Sequence, residues 1–498
     1  WNIRDLPLGQ WPRHHRARSG NRKAVRVCGP PNDRSPVGGR NLFQKDLLKL
    51  QCGRLLGEST PKLSRFARQS GRKESIIRPV VPAVTCTAQS TYLTGKLPTE
   101  HGIVGNGWYD RNLHEHHFWK QSNQLVESEK IWDTLREDRP GFTCANLFWW
   151  YNMYADVDYS ITPRPMYPAD GRKVFDIYTQ PMALREIIKQ DLGDFPFPNF
   201  WGPMAGIQSS KWIAQSAQWI EQKYQPTLNL VYLPHLDYNL QRYGPCDTRV
   251  HSDLHAIDTL VGQLIQFFEA RDIQVILLSE YGITEVDQAI HLNRLFREQG
   301  WITVKDELGL EQLDCGASAA FAIADHQIAH IYLNDTTIKE KVRETLLATE
   351  GVSEVLDADS MPDYSIDHAR AGDLIAIADE RSWFTYYYWQ DDAYAPDFAR
   401  CVDIHRKLGY DPVELFIDPN LKLPKLKVVQ KLLRKKLGFR TLMDLIPLDA
   451  SLVRGSHGRI PSDKKDWPVL ITDSSHKADT SIDSTDVFQH LLEQIRCN

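Results

Sequence analysis

The chain has 498 residues, 42% hydrophobic and 25% charged, enough to bury a large core in one big α/β domain or in two or three smaller ones. A net charge of −5 gives no broad cationic field for nucleic acid, and the apolar runs fall short of a membrane span, so composition points to a soluble protein. Eight cysteines stand singly with no CxxC pair, which excludes a disulfide scaffold and suits reduced thiols in an intracellular protein.

Residues 1–40 carry nine Lys or Arg against only Asp5 and Asp33, and show neither helical nor strand period. An Arg-rich, acid-poor leader suits organelle targeting, while a disordered tail or a wrongly joined segment reads equally well. Residues 1–50 are therefore set apart from a main domain over 51–472, with a polar tail and short helix at 473–498.

From residue 76 short apolar runs alternate with helical patterns: IIRPVVPAV (76–84), LNLVYLPHLD (228–237), IQVILLSEYG (273–282), AHIYLN (329–334), DLIAIAD (373–379) and WPVLI (467–471). Helices are predicted at 291–300 and 338–351. Near-continuous apolar runs predict strands covered on both faces, in an α/β sheet whose ligands collect beyond the carboxyl ends of the strands. Thr85, Asp237 and Glu280 close three of these runs.

The segment 85–106, TCTAQSTYLTGKLPTEHGIVGN, carries the most chemistry. Thr85 opens a predicted helix, whose N-terminal amides and dipole favour both an alkoxide and an attacked phosphate. Glycines at 95, 102 and 105 permit the turns that return Asn106 beside Thr85, where its amide can donate to a phosphate oxygen without adding charge. This arrangement predicts phosphoryl transfer.

Between Asn106 and Asp237 lies an aromatic-rich insertion at about 107–227. Trp149, Trp150, Tyr151 and Tyr154 are candidates for stacking a planar group, and Arg164 for reaching a phosphate; core packing is the competing explanation. A second aromatic run, WFTYYYWQDD (383–392), predicts a strand with both faces covered. The stretch PKLKVVQKLLRKKLGFR (424–440) spaces Leu426, Val429, Leu433 and Leu437 as on one helix face among cations, which reads as a solvated amphipathic helix or a contact for a membrane or anionic partner.

Thr85, Thr94–Gly95, Pro98, His101–Gly102–Ile103 and Asn106 together resemble the nucleophile block of the type I phosphodiesterase and nucleotide pyrophosphatase family, within the alkaline phosphatase superfamily; phosphonoacetate hydrolase is similar in this pattern. The resemblance runs from about 54 to 472 and includes LLGESTPKLSRFA (55–67). It implies an alkaline phosphatase-like α/β/α sandwich with a mostly parallel central sheet and an inserted cap. It also implies a small phosphorylated substrate, attack by Thr85 to form a phospho-threonine, phosphate held by Asn106, and two divalent ions, Zn²⁺ in the family.

The implied metal ligands are Asp237, Glu280 and His457, with Asp46, Gln241, Tyr281, Asp403, His405 and His326 as second-rank candidates. Gln241 stands where the family's Asp-x-x-x-His has histidine, Glu280–Tyr281 where it has Asp-His, and Asp46 is the nearest carboxylate to its first-strand aspartate. Oxygen ligands in place of nitrogen shift preference toward Mn²⁺, Mg²⁺ or Ca²⁺. The expected function is a metal-dependent hydrolase of phosphoric esters or anhydrides. The alternatives are a catalytically degenerate member acting as a binding or scaffold protein, or a one-metal transferase. Substrate identity and oligomeric state leave no mark in the sequence.

Overall fold

A nine-stranded sheet organises the chain. The computed structural model describes residues 59–69, 71–473 and 481–496, with the backbone alone for Arg40–Lys45 and Asp473, all within one unit spanning Gly38–Asn498. The sheet order is Ser481–Asp483, Arg72–Arg78, Val469–Asp473, Gln274–Leu278, Arg40–Lys45, Leu228–Leu233, Cys144–Leu147, Tyr159–Pro163 and Ile177–Gln180. From Gln274–Leu278 to Tyr159–Pro163 neighbouring strands are parallel; Val469–Asp473 and Ile177–Gln180 run antiparallel to their neighbours.

All six residues of Leu228–Leu233 are buried, as expected of a central strand covered on both faces. The long helices Ile207–Tyr224 and Val250–Glu269 pack on this part of the sheet and on each other. Because Leu228–Leu233 and Gln274–Leu278 flank Arg40–Lys45 in parallel, the residues that follow them, including Asp237 and Glu280, emerge at the same sheet edge.

A second, four-stranded antiparallel sheet orders Ala320–Asp325, Ile328–Leu333, Leu374–Ala378 and Val352–Leu356. It carries its own apolar core, including Phe321, Tyr332, Trp383 and Trp389. The hairpin joining its first two strands turns at His326, which adopts φ 63°, and this turn bonds Asn106 and His457 of the main body.

Several sequence expectations are corrected here. The strand expected over 76–84 ends at Arg78, because Pro79 and Pro82 withhold the amide donors a sheet interior requires. The span 107–227 is not a separate cap, since three of its segments are strands of the central sheet. The main body extends past both expected limits: Arg40–Lys45 supplies a central strand, and Ser481–Asp483 an edge strand. The helix Asp486–Arg496 buries Val487, Leu491, Leu492 and Ile495 in the main core and packs on the helix Thr85–Thr94. Of the aromatic run 383–392 only Trp383 and Phe384 are in a strand, yet Tyr386, Tyr387, Tyr388 and Trp389 are all buried.

Candidate active site

Thr85 is the first residue of the helix Thr85–Thr94, every residue of which is buried. Three of its hydroxyls are satisfied on its own turns: Ser90, Thr91 and Thr94 donate to the carbonyls of Cys86, Thr87 and Ser90 at 2.7–2.9 Å. Gly95 ends it at φ 66°, the left-handed conformation that favours glycine. His101 then ties the returning loop. Its Nδ1 accepts from the Ile103 amide at 3.0 Å, so Nε2 carries the proton and donates to Thr91 Oγ1 at 3.1 Å.

The return places Asn106 at the helix start, where its Oδ1 accepts from the Cys86 amide at 3.0 Å. Asn106 also donates through its backbone and side-chain nitrogens to Asp325, at 2.7 and 3.0 Å. Gly105 makes this approach possible, because a Cβ there would lie 3.1 Å from Asp325 Oδ2.

On the other side of Thr85 runs a line of hydrogen bonds. Tyr281 OH lies 3.1 Å from Thr85 Oγ1 and donates to Asp237 Oδ1 at 3.4 Å. With Tyr281's one proton directed to the carboxylate, Thr85 is the donor in its contact with Tyr281. Asp237 and Gln241 sit at i and i+4 on the helix His235–Tyr243, so Gln241 Nε2 reaches Asp237 Oδ2 at 2.8 Å. Tyr410 OH completes the chain by donating to Gln241 Oε1 at 3.0 Å.

Behind this line four rings form a column. Tyr281 stacks on His457, His457 lies against His326, and His326 stacks on Tyr410, each at a centroid separation of 3.7 Å. His457 Nδ1 donates to the Ala83 carbonyl at 2.7 Å, and the Gln327 amide bonds the His457 carbonyl at 2.9 Å, which pins the second sheet's hairpin to the site.

Burial sets the protonation of these groups. Desolvation raises Asp325 to about 7 against the two bonds from Asn106, and raises Asp237 to about 6 against those from Gln241 and Tyr281. It lowers His457 to about 3 and His326 well below its ordinary value, so both imidazoles are neutral. Two buried carboxylates are thus tied into the site, Asp325 through Asn106 and Asp237 through Tyr281 and Thr85.

The remaining expected residues divide. Glu280 is buried, accepts from Gln89, and does not converge with Asp237 on a shared ion. The segment of Asp403 and His405 is tied elsewhere: the Asp403 backbone amide donates to Glu414, and His405 Nδ1 donates to the Phe118 carbonyl. Their segment's contribution is Tyr410 instead. Trp149 and Tyr151 are buried in apolar clusters, and Trp150 packs edge-on to Trp119 while donating to the Lys120 carbonyl. Tyr154 and Arg164 are exposed. Packing therefore accounts for Trp149, Trp150 and Tyr151. Asp46 lies outside the described residues.

Asp325 and Tyr410 are the site residues the sequence reading missed. A signal was present: the Asp-His dipeptide lost at Glu280–Tyr281 recurs as Asp325–His326 in ADHQIAH, of which only His326 was a candidate. His330 of that motif is structural, with Nε2 on the Val104 carbonyl and Nδ1 taking the Gly372 amide.

A pair of zinc ions does not fit the described residues. Both Asp237 oxygens already receive hydrogen bonds, Tyr281 stands between Asp237 and Thr85, and among the described residues no group of three or more His, Cys, Asp or Glu is arranged to hold an ion.

Comparison with known proteins agrees with this architecture. A fission-yeast (Schizosaccharomyces pombe) protein described as an uncharacterized pyrophosphatase/phosphodiesterase is 25% identical over 279 residues, covering 52% of this chain and 49% of its own. Human ectonucleotide pyrophosphatase/phosphodiesterase family member 1 is 23% identical over 265 residues, covering 51% of this chain and 24% of its own. This chain therefore spans about half the length of the first relative and about a quarter of the second. Among solved structures, murine ectonucleotide pyrophosphatase/phosphodiesterase 5 matches with TM-score 0.54 at 14% identity, over 92% of this chain and 95% of its own. Phosphonoacetate hydrolase from Sinorhizobium meliloti, in complex with phosphonoformate, matches with TM-score 0.57 at 12% identity, over 92% and 96%. The fold is the mixed α/β fold of these proteins. The family model of type I phosphodiesterase / nucleotide pyrophosphatase matches residues 51–411, well over half of the chain, and the chain belongs to that family.

Proposed function

We propose that the chain is a hydrolase of phosphoric esters or anhydrides, of phosphodiesterase or nucleotide pyrophosphatase type, in which Thr85 attacks phosphorus. The observation that carries this reading is the line Thr85–Tyr281–Asp237 at a helix N-terminus, with Asn106 fixed beside it. Thr85 passes its proton to Tyr281 as Tyr281 passes its own to the ionised Asp237. The Thr85 oxygen then bonds phosphorus while the bond to the leaving oxygen breaks and that oxygen takes up a proton. Asn106 retains a second amide hydrogen for a phosphate oxygen, and the helix N-terminus favours the anion. Water attacking the phospho-threonine gives up a proton to solvent, and Thr85 leaves as a hydroxyl by taking its proton back from Asp237 through Tyr281. No step is assigned to a metal ion, because among the described residues no group of three or more ligands is arranged to hold one.

Nucleotides are the first substrates to test, since a solved structure of murine ectonucleotide pyrophosphatase/phosphodiesterase 5 is an inactive variant in complex with AMP. A second reading, a family member that binds without turnover, is favoured by one observation: Thr85 is only 5% exposed and its hydroxyl is already engaged by Tyr281. Hydrolysis of a bis-aryl phosphate and of a dinucleoside phosphate, by wild type and Thr85→Ala, separates the two. Turnover lost in Thr85→Ala supports the hydrolase. Saturable AMP binding without Thr85-dependent turnover supports the binding protein and refutes the hydrolase.

A further inference from the structure

The basic stretch at 424–440 takes no part in the site above. It forms the helix Pro424–Lys436, none of whose residues is buried. Its inner side is held by Lys427 and Lys431, which pair with Asp444, and Lys431 also donates to the Leu442 carbonyl at 2.9 Å. At 100° per residue, Leu426, Val429, Leu433 and Leu437 fall away from that anchored side, and all four are exposed, from 50% at Val429 to 73% at Leu437. Leu423, Leu432 and Phe439, in and beside the helix, are exposed as well. Amphipathic helices of globular proteins turn their apolar stripe to the core; this one turns it to solvent.

Charge identifies what would cover it. Between 422 and 440 the sequence has eight Lys or Arg and no Asp or Glu, in a chain whose net charge is −5. Of these, Lys422, Lys425, Arg434, Lys435 and Lys436 make no ion pair with a described residue, the helix's own pairs being those of Lys427 and Lys431. Lys425 and Lys436 border the apolar stripe on one side and Arg434 on the other. We propose that this helix docks on an anionic membrane surface, its leucines entering the boundary between headgroups and acyl chains and its cations meeting the lipid charge. A bilayer interface supplies an apolar floor with negative charge on both flanks at once. The contact is peripheral, as no helix among the described residues is long and apolar enough to cross a membrane.

The test is sedimentation of the full chain with vesicles of phosphatidylcholine alone and of phosphatidylcholine mixed with phosphatidylserine. Binding to the mixed vesicles only, weakened by salt, is expected. Leu433→Glu with Leu437→Glu abolishes it without lowering the melting temperature, because neither side chain is buried. Lys435→Gln and Lys436→Gln each weaken it by about fivefold. Equal or absent binding to the two vesicle types overturns the proposal, as does binding unaffected by the leucine changes. A wild-type dimer that those changes convert to monomer also overturns it, by assigning the face to a second copy. A fall in melting temperature overturns the premise that the face is free.

Discussion

Replacing Asp325 by Asn tests the electrostatics of the site directly. Asp325 is 1% exposed, and burial raises its carboxyl from an ordinary 3.8 to about 7. A folded-state pKa above the unfolded one means the group favours folding fully below 3.8 and loses that contribution as pH rises through about 7. At about 1.36 kcal/mol per pH unit, the interval from 3.8 to 7 makes the ionised form cost roughly 4 kcal/mol. Most of it accrues above pH 5, so wild type loses roughly 3 kcal/mol between pH 5 and pH 8 that Asp325→Asn keeps. The variant forfeits one acceptor facing the two Asn106 donors, about 1–3 kcal/mol at every pH. The stability gap between the two proteins therefore moves by roughly 3 kcal/mol in favour of the variant between pH 5 and pH 8. Urea unfolding of both proteins at pH 5, 6, 7 and 8 measures the difference. A stability gap that stays constant over that range refutes the argument that Asp325 is held as a buried, titrating carboxyl.

Removing the hydroxyl that links Thr85 to Asp237, by Tyr281→Phe, should lower kcat on a bis-aryl phosphate by about 10²–10⁴-fold with little change in KM; unchanged kcat rules out the proton line. Restoring the family's residues with Gln241→His, Glu280→Asp and Tyr281→His together should create zinc uptake that survives dialysis, measured by elemental analysis. If the triple variant stays metal-free, those three side chains are not what displaces the ions. Gly105→Ala should destabilise by about 1–3 kcal/mol, since its Cβ meets Asp325 Oδ2 at 3.1 Å and the Gly107 carbonyl at 3.3 Å; an unchanged melting curve would mean the loop relaxes freely.

Local pattern determined a good deal by itself. The strands Leu228–Leu233 and Gln274–Leu278 were legible as uninterrupted apolar runs, and the return of Asn106 to the Thr85 helix followed from glycines placed where the chain must turn. Asp237 and Gln241 were bound to meet, because four residues on a helix is one turn. The same locality explains the failures. Burial made the aromatics at 149–151 core rather than pocket, and the role of each depended on which surface closed over it. Proline cut the strand at Arg78, a local signal outweighed by the apolar run around it.

What only the tertiary structure decided is the company of Thr85. Asp325 lies 219 positions from Asn106 and Tyr410 lies 169 from Gln241, and no period or spacing along the chain relates residues so far apart. The hairpin at His326 brings Asp325 against Asn106 and slides an imidazole between Tyr410 and His457, while Tyr281 takes up the space between Thr85 and Asp237. Sequence thus determined the family and the local build of the Thr85–Asn106 block, since both rest on contiguous residues. Packing of the second sheet onto the first decided which hydrogen bonds and stacked rings surround that block among the described residues.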